Sequence, residues 1–319
     1  MRSCDVSTSE CSVIVPTFRR PKQLLLCLGG IAAQSRKPMQ TIVVRRRTDL
    51  ETEHALQGDL PVPVTEVIVD QGGVIAAMAQ GVRMASGAVV AFVDDDAVPH
   101  PNWLATLLLL LKEADVGGAG GRDIVAGLTD EMTPDVGRIS AFGKLIGNHH
   151  RGSPGVREVA VLKGVNCAYR REAIEFPTNL RGTGAQVAWE WAVAFRARSN
   201  GWRLLYDSNV KVDHYPGPRF DRDRRDEPNR EAVADIVWNE TFVIGSFDRR
   251  LLYRRLLFFT LVGTSTAPGV IRGAAALLRR EERSRVLWRW WPSMRGLYSA
   301  GWAVHRGKRV SFTSNGPAS

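Results

Sequence analysis

Residues 85–103 read ASGAVVAFVDDDAVPHPNW. The five apolar residues 89–93, entered through Ser86-Gly87 and left through Asp94-Asp95-Asp96, have the length and β-branched content of a strand buried on both faces. Working back from it, a helical stretch over 76–85 follows a short strand at 67–69, and another apolar run occupies 41–44. Leu24, Leu25, Leu28, Ile31 and Ala32 recur at helical spacing behind a first strand, CSVIV at 11–15, which Pro16 ends. Short strands alternating with helices predict an α/β fold with a mostly parallel sheet covered on both sides. Such sheets bind ligands beyond the carboxyl ends of their strands, which places functional residues near Thr17, Arg45 and Asp94.

Working forward, 104–111 reads as a helix following Pro101. VGGAGG at 116–121 begins another strand; it lacks the GxGxxG spacing of a dinucleotide fingerprint. Residues 126–160 are rich in turn signals and read as a mobile loop, and 188–199 as a helix stopped by Asn200-Gly201. The polar stretch PGPRFDRDRRDEPNR, 216–230, marks the end of the compact part, so the chain divides into an α/β domain, 1–230, and a helical, Arg- and Trp-rich extension, 231–319.

Composition sets outer limits. The chain has 319 residues, 44% of them hydrophobic, which excludes collagen, a long disordered chain and a multi-span membrane protein. Its four cysteines, Cys4, Cys11, Cys27 and Cys167, form no CxxC pair and read as buried thiols. The first 15 residues carry no secretory signal pattern, which makes the cytoplasm the expected location. The net charge of +10 is local: residues 245–319 hold 14 Lys+Arg against 3 Asp+Glu, whereas 1–244 hold 29 against 30. The longest uncharged stretch there, 256–271, falls short of the roughly 20 residues that span a bilayer.

Three constellations can carry chemistry. Adjacent carboxylates at 94–96 repel one another at a sheet edge and call either for a hard divalent cation or for full solvation as an acidic turn. His214 ends a short alternating strand before Pro216-Gly217-Pro218, as a metal ligand or as a hydrogen-bonded structural residue. Glu190, between Trp189 and Trp191 at the start of a helix, is either a helix-end charge or a general base whose pKa the indoles raise by excluding water; the indoles themselves can stack on sugar faces.

Taken together, CSVIVPTFRRPKQLLLCLGGIAAQS, GAVVAFVDDDAVPHPNWL, VLKGVNCAYRREAI and WEWAVAFRARSNGWRLLYDSNVKVDHYPGPR occur in the order found in family 2 glycosyltransferases of the GT-A fold, which residues 11–220 resemble. The resemblance implies a Rossmann-like GT-A sheet with flanking helices, and an inverting, metal-dependent transfer from a nucleotide-sugar to a hydroxyl acceptor, a glycan or a lipid-linked one. It implies that Pro16 and Thr17 lie against the nucleotide, that Asp94 and Asp95 lie near the ribose, that Asp96 and His214 hold Mg or Mn, and that Glu190 is the base. Trp189 and Trp191 are acceptor candidates. Two departures from the family stand out: Trp189-Glu190 replaces its Glu-Asp pair, and Arg45-Arg46-Arg47-Thr48-Asp49 replaces its V-D-D-G-S turn. Either Asp49 reads the base, or the arginines meet the diphosphate, or the turn is merely solvated. Gln80 stands where the family tends to have Asn.

A second reading keeps the fold as a nucleotide-binding scaffold without catalysis. A third, nucleic-acid binding through the basic tail, lacks any accompanying RNA-binding or helix-turn-helix motif, so no nucleic-acid partner is expected. Arginines interleaved with Trp288, Trp290 and Trp291 fit either a segment lying peripherally on an anionic inner membrane face or a helical extension packed on the domain.

Overall fold

The computed structural model describes residues 10–128, 131–224, 229–278 and 280–313; Cys4 and the polar residues 225–228 lie outside them. Along the first third run β1 (Cys11–Thr17), α1 (Pro21–Ala32), β2 (Gln40–Arg46), α2 (Leu50–Leu56), β3 (Thr65–Val69), α3 (Val74–Met84) and β4 (Val89–Val93). The middle adds β5 (Ala97–Pro99), α4 (Trp103–Leu110), β6 (Val116–Val125), β7 (Arg138–Ile139), β8 (Leu145–Ile146), β9 (Val156–Glu158), β10 (Asn166–Arg170), α5 (Trp189–Ser199) and β11 (Arg203–His214). Four helices follow: α6 (Arg230–Phe247), α7 (Arg249–Leu261), α8 (Val270–Leu278) and α9 (Arg280–His305).

The main sheet runs β3-β2-β1-β4-β10-β6-β11-β5, with β9 beside β11. Its first four strands are parallel throughout; β10 enters antiparallel between β4 and β6, and β11 runs parallel to β6. The apolar runs are explained by burial on both faces. In β1, Ile14 joins one core while Cys11, Val13 and Val15 join the other, and β4 splits Val90 and Phe92 from Val89, Ala91 and Val93 in the same way. Each fully buried Val, Ile or Phe among them stabilises the fold by about 1.5–3 kcal/mol. Leu24, Cys27, Leu28 and Ile31 turn one stripe of α1 onto the sheet, and α1 starts without a side-chain cap because Pro21 already fixes its first turn. Cys11, Cys27 and Cys167 are free and buried, and burial pushes the Cys11 thiol up to about 12, so these are packing residues.

Residues 126–160 are not the mobile loop that their turn signals suggest. Among the described residues of this segment, β7 pairs with β8 and β9 joins the main sheet beside β11. His149 is buried, its Nε2 lies 3.0 Å from the Val161 carbonyl, and its own carbonyl accepts from the Tyr206 hydroxyl at 2.9 Å. Long-range anchors of this kind leave no local periodicity to read.

The C-terminal helices are continuous with the main core. Phe242 and Ile244 of α6 and Ala300, Ala303 and Val304 of α9 pack in the cluster that holds Ile14 and Phe92. The last described residues return to it: Ser311 accepts from Thr178 N at 2.8 Å, and Thr313 N donates to Phe176 O at 2.9 Å. Arg255 of α7, fully buried, is satisfied by Glu240, the Thr241 hydroxyl and the Gly143 carbonyl, tying α7 to α6 and to the turn between β7 and β8. Of the two sequence readings, packing on the domain describes the inner faces of α6 and α9. Much of α7 and α8 faces outward.

Candidate active site

The carboxyl ends of β1, β2 and β4 open into one cavity of about 410 Å³, lined among others by Pro16, Thr17, Phe18, Asp94, Asp96, Lys163, Trp189, Glu190 and His214. Neighbouring parallel strands end side by side, so residues far apart in sequence converge there. His214 arrives from the far side of the sheet. It lies opposite Ala97 in the β5–β11 register, and Tyr215 N donates to the Asp96 carbonyl at 2.8 Å. A bulge in β11 between Asp207 and Lys211 permits this, and Gly121 makes room for it, since a Cβ there would sit 2.0 Å from the Val210 carbonyl.

Asp94, Asp96 and His214 each present a ligand atom within 4.8 Å of one another. The three neighbouring carboxylates have different surroundings. Asp95 is fully buried; it accepts from Thr17 Oγ1 at 2.7 Å and pairs with Arg20 at 2.7 Å. It therefore holds the loop after β1 and does not line the cavity. Asp96 directs Oδ2 to Arg20 (2.6 Å) and Gly217 N (2.8 Å), while its buried Oδ1 has no hydrogen-bond partner and lies 3.5 Å from His214 Nε2. Burial opposes the Asp96 charge, but the adjacent His214 ring and the Arg20 charge outweigh it and bring its pKa down to about 2. Asp94 is raised, by desolvation and by the Asp96 charge.

Asp123, buried at the end of β6, lies 3.3 Å from His214 Nδ1 and pairs with Lys163. Engaging Nδ1 turns the other ring nitrogen toward Asp96, an arrangement that orients histidine ligands of metals. The orphaned Asp96 oxygen, the His214 Nε2 facing it and a donor set of two carboxylates and one imidazole fit a divalent cation.

Glu190 lines the same cavity, in the first turn of α5. Desolvation pushes its pKa up to about 7, although its own N–H and that of Gly164 favour the charged form. Gly164 also admits Trp189: a Cβ there would meet the Trp189 ring at 2.4 Å and Glu190 Oε1 at 3.5 Å. The turn into α5 is strained, with Gln186 and Ala188 both at positive φ (43° and 74°), a cost that packed surroundings must offset. Trp189 lines the cavity and packs on Phe176 with ring centroids 6.0 Å apart. Trp191 is buried in the core and is not part of the lining.

Asp49 does not reach the cavity lining. It caps α2, accepting from Thr52 N (3.1 Å) and Thr52 Oγ1 (2.7 Å), and accepts from Arg19 N at 2.6 Å. The three arginines of the turn diverge: Arg47 pairs on the surface with Asp70, whereas Arg45, buried against Glu53 and Glu66, and Arg46 both line the cavity. Arg46 lies over the Phe18 ring at 4.1 Å and bonds Asp221 at 2.9 Å. Gln80 bonds Arg83 on the helix surface.

A family model described as glycosyltransferase-like family 2 matches residues 9–231. The chain belongs to that family. AglE, a glycosyltransferase of Haloferax volcanii, is 27% identical to this family 2 glycosyltransferase over 217 residues, 65% of this chain and 67% of AglE. The glucosyl-dolichyl phosphate glucuronosyltransferase of the same organism is 26% identical over 219 residues, 64% of this chain and 68% of that protein. Among solved structures, the mannosyltransferase of Pyrobaculum calidifontis in complex with GDP-Man and Mn2+ superposes with a TM-score of 0.56 at 18% identity, over 94% of this chain and 88% of that one. S. aureus TarS gives 0.52 at 16% identity, over 86% and 47%. These likenesses establish the GT-A arrangement of the family 2 enzyme. Among its described residues no helix is long and apolar enough to cross a membrane.

Proposed function

We propose that this glycosyltransferase moves a sugar from a nucleotide-sugar to a hydroxyl acceptor by a single displacement that inverts the anomeric carbon. The carrying observation is one cavity lined by the β1 loop, the Asp94–Asp96–His214 group and Glu190. Pro16, Thr17 and Asp94 face the nucleotide, Asp95 fixes Thr17, and Arg45 and Arg46 line the cavity at the end of β2. Base reading by Asp49 has less support, since its carboxylate is already occupied.

Asp96, His214 and Asp94 would hold Mg or Mn. When bound, such an ion neutralises charge accumulating on the departing diphosphate. Glu190 takes the proton of the acceptor hydroxyl as the oxygen attacks, and a pKa of about 7 suits a base working near neutrality. Trp189, buried but reaching the lining, borders that point. The dolichyl phosphate in the name of the Haloferax relative supports a lipid-linked acceptor. With the basic C-terminal quarter, this favours glycolipid or glycan synthesis at an anionic membrane surface on the cytoplasmic side.

The test is a thermal-shift panel of nucleoside diphosphates with and without Mn2+. One base should stabilise the protein in a metal-dependent way, and Asp96→Ala should abolish the metal-dependent part while leaving the fold intact. A metal-dependent shift of equal size in Asp96→Ala would sink the assigned ion site.

A further inference from the structure

Away from the catalytic cavity, a second one of about 440 Å³ lies between α7 and α9. Its position follows from helical spacing. Arg249, Leu252, Tyr253 and Leu256 form one stripe of α7, and Tyr298, Gly301, Trp302 and His305 the facing stripe of α9. Leu252 and Leu256 line the cleft, and Gly301 keeps it open, because a Cβ there would already press on Leu256 at 3.2 Å. The rim is unusual for a protein surface: Tyr253 is 60% exposed and Trp302 58%, and Leu257, one turn on from Tyr253, is 64% exposed. Basic groups stand at the same rim. Arg249 lines the cleft and Arg306 lies 4.1 Å over the Trp302 ring.

An apolar slot with aromatic lips and guanidinium groups around it is complementary to a molecule with a hydrocarbon body and an anionic head. We propose that the α7–α9 cleft binds one hydrocarbon chain of an anionic membrane lipid, whose headgroup rests on the rim arginines. The inference rests on the membrane-surface reading above and gives it a specific contact. Residues 245–319 hold 14 Lys+Arg against 3 Asp+Glu, a charge complementary to an anionic lipid surface, and this argues for the lipid as occupant.

The full chain is titrated with lysophosphatidylglycerol and lysophosphatidylcholine below their micelle-forming concentrations, by calorimetry and thermal shift. In parallel it is sedimented with phosphatidylcholine vesicles with and without phosphatidylglycerol. Expected are one-to-one binding of the anionic lysolipid with a raised Tm, at least tenfold weaker binding of the zwitterionic one, and pelleting only with anionic vesicles. Gly301→Leu, which fills the slot, should weaken lysolipid binding at least tenfold. So should the double variant Tyr253→Ala/Trp302→Ala, whose exposed positions keep the test valid if the filled variant does not fold. Pelleting without binding of monomeric lipid, or monomer binding unchanged in a folded variant, overturns the slot and leaves the membrane reading standing. Failure of both assays overturns both.

Discussion

Replacing Glu190 by Gln should stabilise the protein at alkaline pH, an unusual result for a change inside an active site. Burial holds the Glu190 carboxyl at about 7 against an ordinary value of 4.5, so the native fold prefers its protonated form. At about 1.36 kcal/mol per pH unit, the difference amounts to about 3 kcal/mol once the group is ionised in both states. The side chain is half-buried and opens onto the cavity, so water screens part of this, leaving about 1–3 kcal/mol. The sign follows from linkage. A raised native pKa contributes stability that is complete below 4.5 and is lost as pH rises through about 7. Glutamine copies the shape of the neutral acid and does not ionise. Urea unfolding of both proteins at pH 5 and pH 8 should therefore give near-equal stabilities at the lower pH. At the higher pH the variant should gain about 1–3 kcal/mol, or several degrees in Tm. A gap that does not change with pH, or a variant less stable at pH 8, would refute the assignment of a desolvated carboxyl.

Other outcomes follow from the same geometry. The pH profile of kcat/KM should rise with an inflection near 7, because the base must be deprotonated, and a profile flat from pH 5.5 to 8.5 would remove Glu190 from that role. Asp123→Asn keeps the shape but weakens the orientation of His214, so Mn2+-dependent nucleotide affinity should fall about 10- to 100-fold with Tm little changed; calorimetry decides it. Gly164→Ala drives a methyl into the Trp189 ring and should cost about 1–3 kcal/mol together with most of the activity, whereas unaltered turnover would show that the α5 turn has slack. Arg255→Leu leaves Glu240 without its partner and should cost about 3 kcal/mol in urea unfolding; a loss below about 1 kcal/mol would mean that α7 is held elsewhere.

The parallel half of the fold was legible because burial on both faces writes continuous apolar runs such as VVAFV and CSVIV into the chain. The acidic run and His214 were legible as separate signals, because each ends a strand. Their meeting depends on β5 pairing with β11 and on the bulge that Gly121 permits, neither of which leaves a periodic mark. Arg20, Asp123 and Lys163 were missed for a related reason. Each is an ordinary charged residue locally and takes its role from a partner 40 to 91 positions away. Asp123 carried one usable signal, a carboxylate near the carboxyl end of a sheet strand. Asp49 invited a base-reading role by its place in the turn after β2, and the structure shows it closing the first turn of α2. The helical pattern of the C-terminal quarter was plain, but its attachment was not, since Ala300, Ala303 and Val304 look like ordinary helix residues until α6 lies against them.

The central claim is that Glu190 is the base of a nucleotide-sugar transfer. It is tested most directly by measuring, on the donor selected by the nucleotide panel, both donor affinity and the rate of sugar release or transfer in Glu190→Gln. Donor affinity should stay within a few-fold of the parent while the rate falls by about 100- to 10,000-fold. A rate within a few-fold of the parent, with donor binding intact, would contradict it.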